Sequence, residues 1–380
     1  MSPKAEAGPR PDGSTPPGPL EPEWIPFSAG HEAKWDAFVE GHPGGRFVHL
    51  SGYKRAVELV YGFDPVYRLC LDGPNIRAVF PGFVHRSRIY GRKIVSQPFN
   101  EYGGLLPAGD AGPGEKIALV ESFARAIRRE MKAFGCRHLE MRHPLSLGDD
   151  VAGPFQALPL FRRVDRLLEP PDILWKKLDA KDRSLIRKAA SFNLEFAERP
   201  GFRPLEEEFY PIYLKTMKRL GTPPHPLSFF FALRRYLKDN MKLFIIAHKG
   251  HPVSALIAWR TGTTVQITDM CSDDAAFAMK PNDFAVWEFF RWAYAAGCRG
   301  FDFGPVRYRG QEIFKKKWLM QFHDYRYLYL DDGAAGVRPP RNPFSGNSSL
   351  AGHAVEVWKK AVPQWLARSL GARFRKEIGL

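Results

Sequence analysis

Three small sets of residues have the types and spacing to do chemistry. Arg183 and Arg187 stand four apart in Arg-Ser-Leu-Ile-Arg-Lys-Ala, with Lys188 beside them. Residues four apart share a helix face, and two guanidinium forks on one face can grip phosphate oxygens bidentately. An exposed basic helix is the plain alternative, and the residues alone leave both open. Lys315, Lys316 and Lys317 are consecutive. They cannot share one face, so at least one points away from the others, where it could meet charge that develops on a substrate. The third set is acidic: Glu101, in a Gly-rich loop after a strand, and Asp302, at the end of one, are the candidates for a general base. Asp302 has a counterpart, Glu140, at the matching point of the first half, which favours a structural hydrogen bond for both. Glu101 is evenly balanced between base and loop residue.

Other chemistries find no support. The histidines are scattered without metal-ligand spacing, no Gly-x-Ser-x-Gly elbow occurs, and Cys70, Cys136, Cys271 and Cys298 form no CxxC. The cysteines read as small buried residues of a reducing compartment. The sequence calls for no metal and no bound cofactor.

The elements that must position these residues appear in the same order twice. Helical periodicity runs through His31-Glu-Ala-Lys-Trp and again from Ser51. Extended stretches follow at Val66 to Leu71, Ile76 to His85 and Lys93 to Gln97, the first two joined by an Asp72-Gly73 turn. A long amphipathic helix, Glu115 to Phe134, leads to a strand from His138. In the second half, helices at Ser184 to Ser191, Phe209 to Arg219 and Ser228 to Leu237 precede strands at Lys242 to His248, Val253 to Arg260 and Thr264 to Asp269. A helix, Asp283 to Ala296, then leads to a strand at Gly300 to Phe303. The handover is the same in both: Gly135-Cys136-Arg137 then His-Leu-Glu-Met, and Gly297-Cys298-Arg299 then Gly-Phe-Asp-Phe. A glycine that ends the helix, then Cys-Arg, then apolar–acidic–apolar residues, points to duplication.

The expected plan is therefore α/β: two tandem lobes with mixed sheets flanked by helices, at 24–170 and 171–330. A disordered Pro-rich arm precedes them at 1–23, and a linker with C-terminal amphipathic helices follows at 331–380. The start has no apolar core of a signal peptide, and no apolar run approaches the roughly 18 residues of a span. A cytoplasmic protein is expected. The net charge of +15, from 56 basic and 41 acidic residues, favours anionic ligands without choosing among them. Trp358, Trp365 and Phe374 among Lys359, Arg368, Arg373 and Lys376 suggest either peripheral contact with an anionic inner-membrane face or a helix docked on the body.

Two lobes of this order resemble tandem GCN5-related N-acetyltransferases. Three segments narrow the resemblance: Ser96-Gln97-Pro98-Phe99-Asn100-Glu101-Tyr102-Gly103-Gly104; the Arg183–Ala189 run; and Phe301-Asp302-Phe303-Gly304 with Phe314-Lys315-Lys316-Lys317-Trp318 and Tyr325-Arg326-Tyr327. Together with Met217 to Pro223 they resemble the FemAB family, in particular its branch associated with exopolysaccharide and exosortase genes. The resemblance implies transfer of an acyl or aminoacyl group to an amine of an anionic acceptor in the cell envelope, linked to peptidoglycan, polysaccharide or lipid. It makes Lys315 the candidate for stabilising the carbonyl oxygen, with Glu101 as a second catalytic candidate. Substrate contacts are expected from Asn100, Tyr102, Arg183, Arg187, Lys188, Arg307, Tyr308, Lys316 and Trp318. Where many members continue Phe-Asp-Phe-Gly with Arg-Ser, Pro305 and Val306 stand here, so the contact of that arginine is either lost or taken over by Arg307.

The donor is expected to be a large carrier, aminoacyl-tRNA or a carrier-bound acyl group. Cys271 to Asn282, before the second long helix, contains no glycine, two aspartates and Pro281, unlike a turn that cradles a pyrophosphate. A noncatalytic RNA-binding clamp and an inactive transferase-like partner in a secretion or polysaccharide assembly are the rival readings.

Overall fold

The computed structural model describes residues 22–88, 91–142, 145, 147, 153–331, 358, 359 and 362–379. The expected N-terminal arm, but for its last two residues, and most of the expected linker lie outside them. The first half runs β1 (Trp24–Pro26), α1 (Glu32–Gly41), α2 (Ser51–Tyr61), β2 (Asp64–Asp72), β3 (Asn75–Ser87), β4 (Gly91–Val95), β5 (Leu106–Pro107), α3 (Pro113–Phe134), β6 (His138–Met141) and β7 (Gln156–Leu167). The second runs α4 (Pro171–Lys177), α5 (Ala180–Ala190), β8 (Leu194–Glu198), α6 (Tyr210–Leu220), α7 (Leu227–Leu237), β9 (Met241–His248), β10 (His251–Thr261), β11 (Thr264–Ser272), α8 (Pro281–Ala295), β12 (Gly300–Val306), α9 (Arg309–Lys316) and β13 (Gln321–Asp331). The C-terminal helix, numbered α10 here, spans Gln364–Ile378.

The order of pairing repeats. In the first half β2, β3 and β4 are antiparallel neighbours and β4 meets β6 in parallel at Ile94–Leu139 and Val95–Glu140. In the second, β9, β10 and β11 are antiparallel and β11 meets β12 in parallel at Val265–Phe301 and Gln266–Asp302. Gly135 and Gly297 end α3 and α8 at φ 62° and 77°, a left-handed conformation that a Cβ would strain. Cys136 and Cys298 follow them, both buried.

What the sequence did not suggest is the exchange of last strands. β13 lies between β6 and β7, and β7 lies against β12, so the thirteen strands of the described residues join one sheet. The expected division after residue 170 therefore follows a strand whose partners, β12 and β13, both belong to the second half. Strand pairing is a non-local choice, and Pro159 with Arg162-Arg163 blurs the alternation that marks a strand.

On one face, α1, α2, α6 and α7 cover a core common to both halves, where Phe47 stacks on Trp259 at 4.0 Å and Tyr53 meets Phe229 edge-on at 6.3 Å. A Cβ on Gly52 of α2 would stand 2.6 Å from the Tyr236 carbonyl of α7, so that contact depends on glycine. The other face carries α3 over the first half and α5 and α8 over the second.

The matched carboxylates are both buried and paired, with different partners. Glu140 accepts from Lys93 Nζ at 2.6 Å and Arg142 Nε at 2.8 Å. Burial alone would raise its pKa, but Lys93 and Arg142 outweigh it and hold Glu140 at about 2. A depressed carboxyl stabilises the fold above its unfolded value and loses that stability as pH falls through the folded one; from 4.5 to about 2 this is worth about 3 kcal/mol. Urea unfolding of the wild type should therefore show stability falling between pH 4.5 and 2, and Glu140→Gln, less stable at neutral pH, should lack most of that decline. An unaltered acid limb in the variant would mean another group sets it.

Candidate active site

Parallel strands that part company leave a wedge. β11 and β12 share only three residue pairs, Thr264–Gly300 to Gln266–Asp302, and then diverge. On the β11 side the register shifts opposite Ile257 and Ala258, and Thr268 is the extra residue, outside the ladder. Its hydroxyl donates to Asp269 Oδ2 at 2.8 Å and accepts from Trp259 Nε1 at 2.9 Å. Burial pushes the Asp269 carboxyl above its ordinary value, against the opposing pull of Thr268 and Arg375.

On the β12 side the freed carbonyls need donors. Lys315, projecting from α9, supplies them: Nζ donates to the carbonyls of Phe303 and, at 2.8 Å, Pro305. Lys315 is 7% exposed, and desolvation lowers its pKa to about 7, Arg307 adding to the shift and Asp302 opposing it. Asp302 braces the turn from below. Its Oδ1 accepts from Tyr102 Oη at 3.0 Å and the Gly304 amide at 2.8 Å, and Oδ2 faces Arg46 Nε at 3.4 Å. Fully buried and saturated, it reads as structural.

Asp269 and Lys315 open on one cavity of about 630 Å³ between the halves, within the usual range for ligand sites. Asn100, Glu101, Arg307 and Tyr308 also line it, so the structure brings these expected residues together with Lys315. Glu101, from the first half, forms an ion pair with Arg307 of the second, which commits its carboxylate. The other expected residues stand elsewhere. Tyr102 is buried beneath the site, its hydroxyl spent on Asp302. Trp318 is core, packed on Phe290 at 5.7 Å. Lys316 is exposed outside the lining, and Lys317 pairs with Asp283, so the three lysines do face three ways. Arg183 donates to the carbonyls of Trp175, Lys176 and Leu178 at the end of α4, and Arg187 lies over the Trp175 ring at 5.4 Å. With Lys188 they sit on α5, away from the cavity; the expected phosphate grip there is replaced by the capping of α4.

Sequence reasoning missed Asp269, Arg142, Arg375 and His225. Asp269 had a signal, the one charged residue in a strand of alternating polar and apolar residues. Arg142, 2% exposed, fills the first half's wedge: its amide donates to Ser96 Oγ at 2.7 Å, and its guanidinium to the carbonyls of Asn100 at 3.0 Å and Gly379 at 2.8 Å. The end of α10 closes that wedge, with His85 Nε2 donating to the Lys376 carbonyl at 2.7 Å. Arg375 of the same helix reaches the open cavity and donates to the Pro223 carbonyl at 2.8 Å. The tail thus docks on the body, while Phe374 stays 46% exposed. Among the described residues no group of His, Cys, Asp or Glu could hold a metal, and no helix is long and apolar enough to cross a membrane.

Residues 176–316, which contain this wedge, match the family model of the acetyltransferase (GNAT) domain. No curated protein sequence matches the chain. Among solved structures, FemX is similar with a TM-score of 0.66 at 12% identity, covering 82% of this chain and 98% of its own. The C-terminal domain of a putative lysylphosphatidylglycerol synthetase from Agrobacterium fabrum aligns with a TM-score of 0.52 at 15% identity, over 81% and 93% of the two chains. A tandem GNAT protein from the clavulanic acid biosynthesis pathway gives 0.51 at 9%, over 83% and 99%. At these identities the likeness shows the fold, and the family model adds that residues 176–316 match an acetyltransferase (GNAT) domain, which supports transferase activity.

The arrangement predicts that Glu101 and Arg307 hold the halves together across the cavity mouth. Arg307→Ala should speed hydrogen exchange in the Asn100–Gly104 loop without lowering the melting temperature by more than a few degrees, because exposed pairs contribute about 0–1 kcal/mol. Unchanged exchange would show that the loop is fixed by its other ties, among them the Tyr325 hydroxyl on the Glu101 carbonyl at 2.7 Å and the Arg142 guanidinium on the Asn100 carbonyl at 3.0 Å.

Proposed function

We propose that the protein is a GNAT-type acyltransferase that joins an acyl or aminoacyl group to an amine of an anionic acceptor in the wedge between β11 and β12. The observation that carries the proposal is that Lys315 and Asp269, from opposite sides of the wedge, face one cavity. As the amine nitrogen attacks the acyl carbon, negative charge gathers on the carbonyl oxygen, and Lys315 donates to it. Asp269, its proton affinity raised by burial, takes the proton from the amine as the new C–N bond forms, and that proton follows the departing carrier when the old C–O or C–S bond breaks. Glu101, held by Arg307, serves in positioning.

Arg219, Arg307, Lys315 and Arg375 face the cavity against Glu101 and Asp269, a cationic balance that suits an anionic acceptor such as one linked to a lipid, a polysaccharide or peptidoglycan. Contact of the α10 face around Phe374 with an anionic membrane surface fits the same substrate class. The turn before α8 supports a choice of donor. Asp273 caps it, accepting from the Ala275 amide at 3.2 Å and from Lys215 at 2.7 Å, so a carboxylate already engages the amide and the cation that a pyrophosphate would need there. A larger carrier, aminoacyl-tRNA or a carrier protein, suits the chain better than free acetyl-CoA.

Lys315→Ala should lower kcat/KM about 10²–10³-fold, the usual loss for one charge-stabilising donor. Turnover unchanged in a folded variant would remove Lys315 from the mechanism. Because Lys315 is held at about 7 and acts when protonated, the rate should fall as pH rises through about 7. Lys315→Arg should lose that falling limb. Calorimetry with acetyl-CoA should detect no tight binding; a stoichiometric complex would overturn the assignment of the donor.

A further inference from the structure

One wall of the cavity carries almost no charge. Phe47, Tyr53, Phe229, Leu233 and Trp259, each at most 3% exposed, line it together with Phe99. Phe99 is held at φ +68°, a conformation costly to a side chain with a Cβ, and this sets its ring edge-on to His225 at 5.2 Å. His225 is the polar group of this chamber, and it is fixed on every side. Its amide donates to Tyr213 Oη at 2.9 Å, its carbonyl accepts from Tyr210 Oη at 3.1 Å, and its ring lies on Phe229 at 4.5 Å.

The ring's proton can be placed. Tyr61 Oη is 2.5 Å from His225 Nδ1, and that phenol has no other partner among the described residues. Burial raises the phenol above its ordinary value and drives the imidazole well below its own, with Arg375 adding to the drop. Both groups are therefore neutral, the phenol donates to Nδ1, and the imidazole proton sits on Nε2. Nε2 has no partner among the described residues, on a residue 6% exposed that lines the cavity. The donor opens on the cavity, and a ligand that supplies an acceptor there is favoured over an analogue that does not.

We propose that this chamber binds an uncharged aromatic or branched apolar moiety of the substrate, selected by a hydrogen bond from His225 Nε2 to an oxygen on that moiety. The proposal rests on the reading of the cavity as the transfer site and specifies what one of its substrates carries. The volume, about 630 Å³, far exceeds the needs of an acetyl group. The anionic portions of carrier and acceptor would remain with the arginines.

Two isomeric amides, N-methylbenzamide and acetanilide, carry an oxygen beside a ring and stand in for the apolar moiety alone. Toluene offers the ring without an oxygen. Calorimetric titration of the whole chain should show at least one amide binding about 5- to 10-fold tighter than toluene, the range of one net hydrogen bond. His225→Phe should abolish the preference while toluene still binds, and Tyr61→Phe/His225→Phe does the same without leaving the phenol unpartnered. Leu233→Trp should exclude all three probes. Lys315→Ala should bind them as the wild type does, so a failed transfer mechanism is distinguishable from a failed chamber. Amides no better than toluene, or a preference that survives His225→Phe, would overturn the proposal.

Discussion

Everything at the site follows from three residue pairs of parallel ladder and then none. Where β11 and β12 separate, each strand is left with backbone groups that no neighbour satisfies, in a place too buried for water to do so freely. The chain answers differently on the two sides. On β11 a bulge takes up the strain and turns Thr268 and Asp269 toward the gap. On β12 a lysine reaches back from the following helix and caps two carbonyls at once. The group that would donate to a substrate oxygen is thus one the fold needs anyway. Its depressed proton affinity is the cost of standing in that gap without a carboxylate beside it, since Asp302 is spent on Tyr102 and the Gly304 amide.

The first half has the same wedge and uses it otherwise. There the diverging strands are tied by Ser96 and Arg142, and the guanidinium ends on the Asn100 and Gly379 carbonyls. One copy of the scaffold is thereby sealed and rigid, and it presents the Asn100–Glu101 loop to the open copy. Two halves that share an aromatic core and a continuous sheet cannot rock freely against each other, which favours a preformed cleft over one assembled by domain closure.

The repeated unit was legible in sequence because its signals are local: a glycine that must take a left-handed conformation, and an apolar–acidic–apolar strand after it. Lys315 was legible only through its company of family-like residues. The exchange of β7 and β13 was not, since neither strand carries a mark of which neighbour it will choose. Arg183 and Arg187 show the limit of spacing arguments. Four apart on a helix they do share a face, but that face meets the end of α4 and the Trp175 ring. His225, in Pro-Pro-His-Pro, carries no local mark of its burial, which depends on three tyrosines brought from two helices.

The exchanged strands also have a consequence for synthesis. β6 is complete at Met141, but its neighbour β13 ends at Asp331, about 190 residues later. At ordinary elongation rates the ribosome needs roughly 10–40 s to make that stretch, and for that time the nascent first half shows an unpaired edge. The edge is four residues long and carries Glu140 in its middle. Brevity and a charge are the means by which strand edges avoid pairing with a neighbour on the same messenger, so the buried ion pair of the finished protein begins as the guard of an unfinished one.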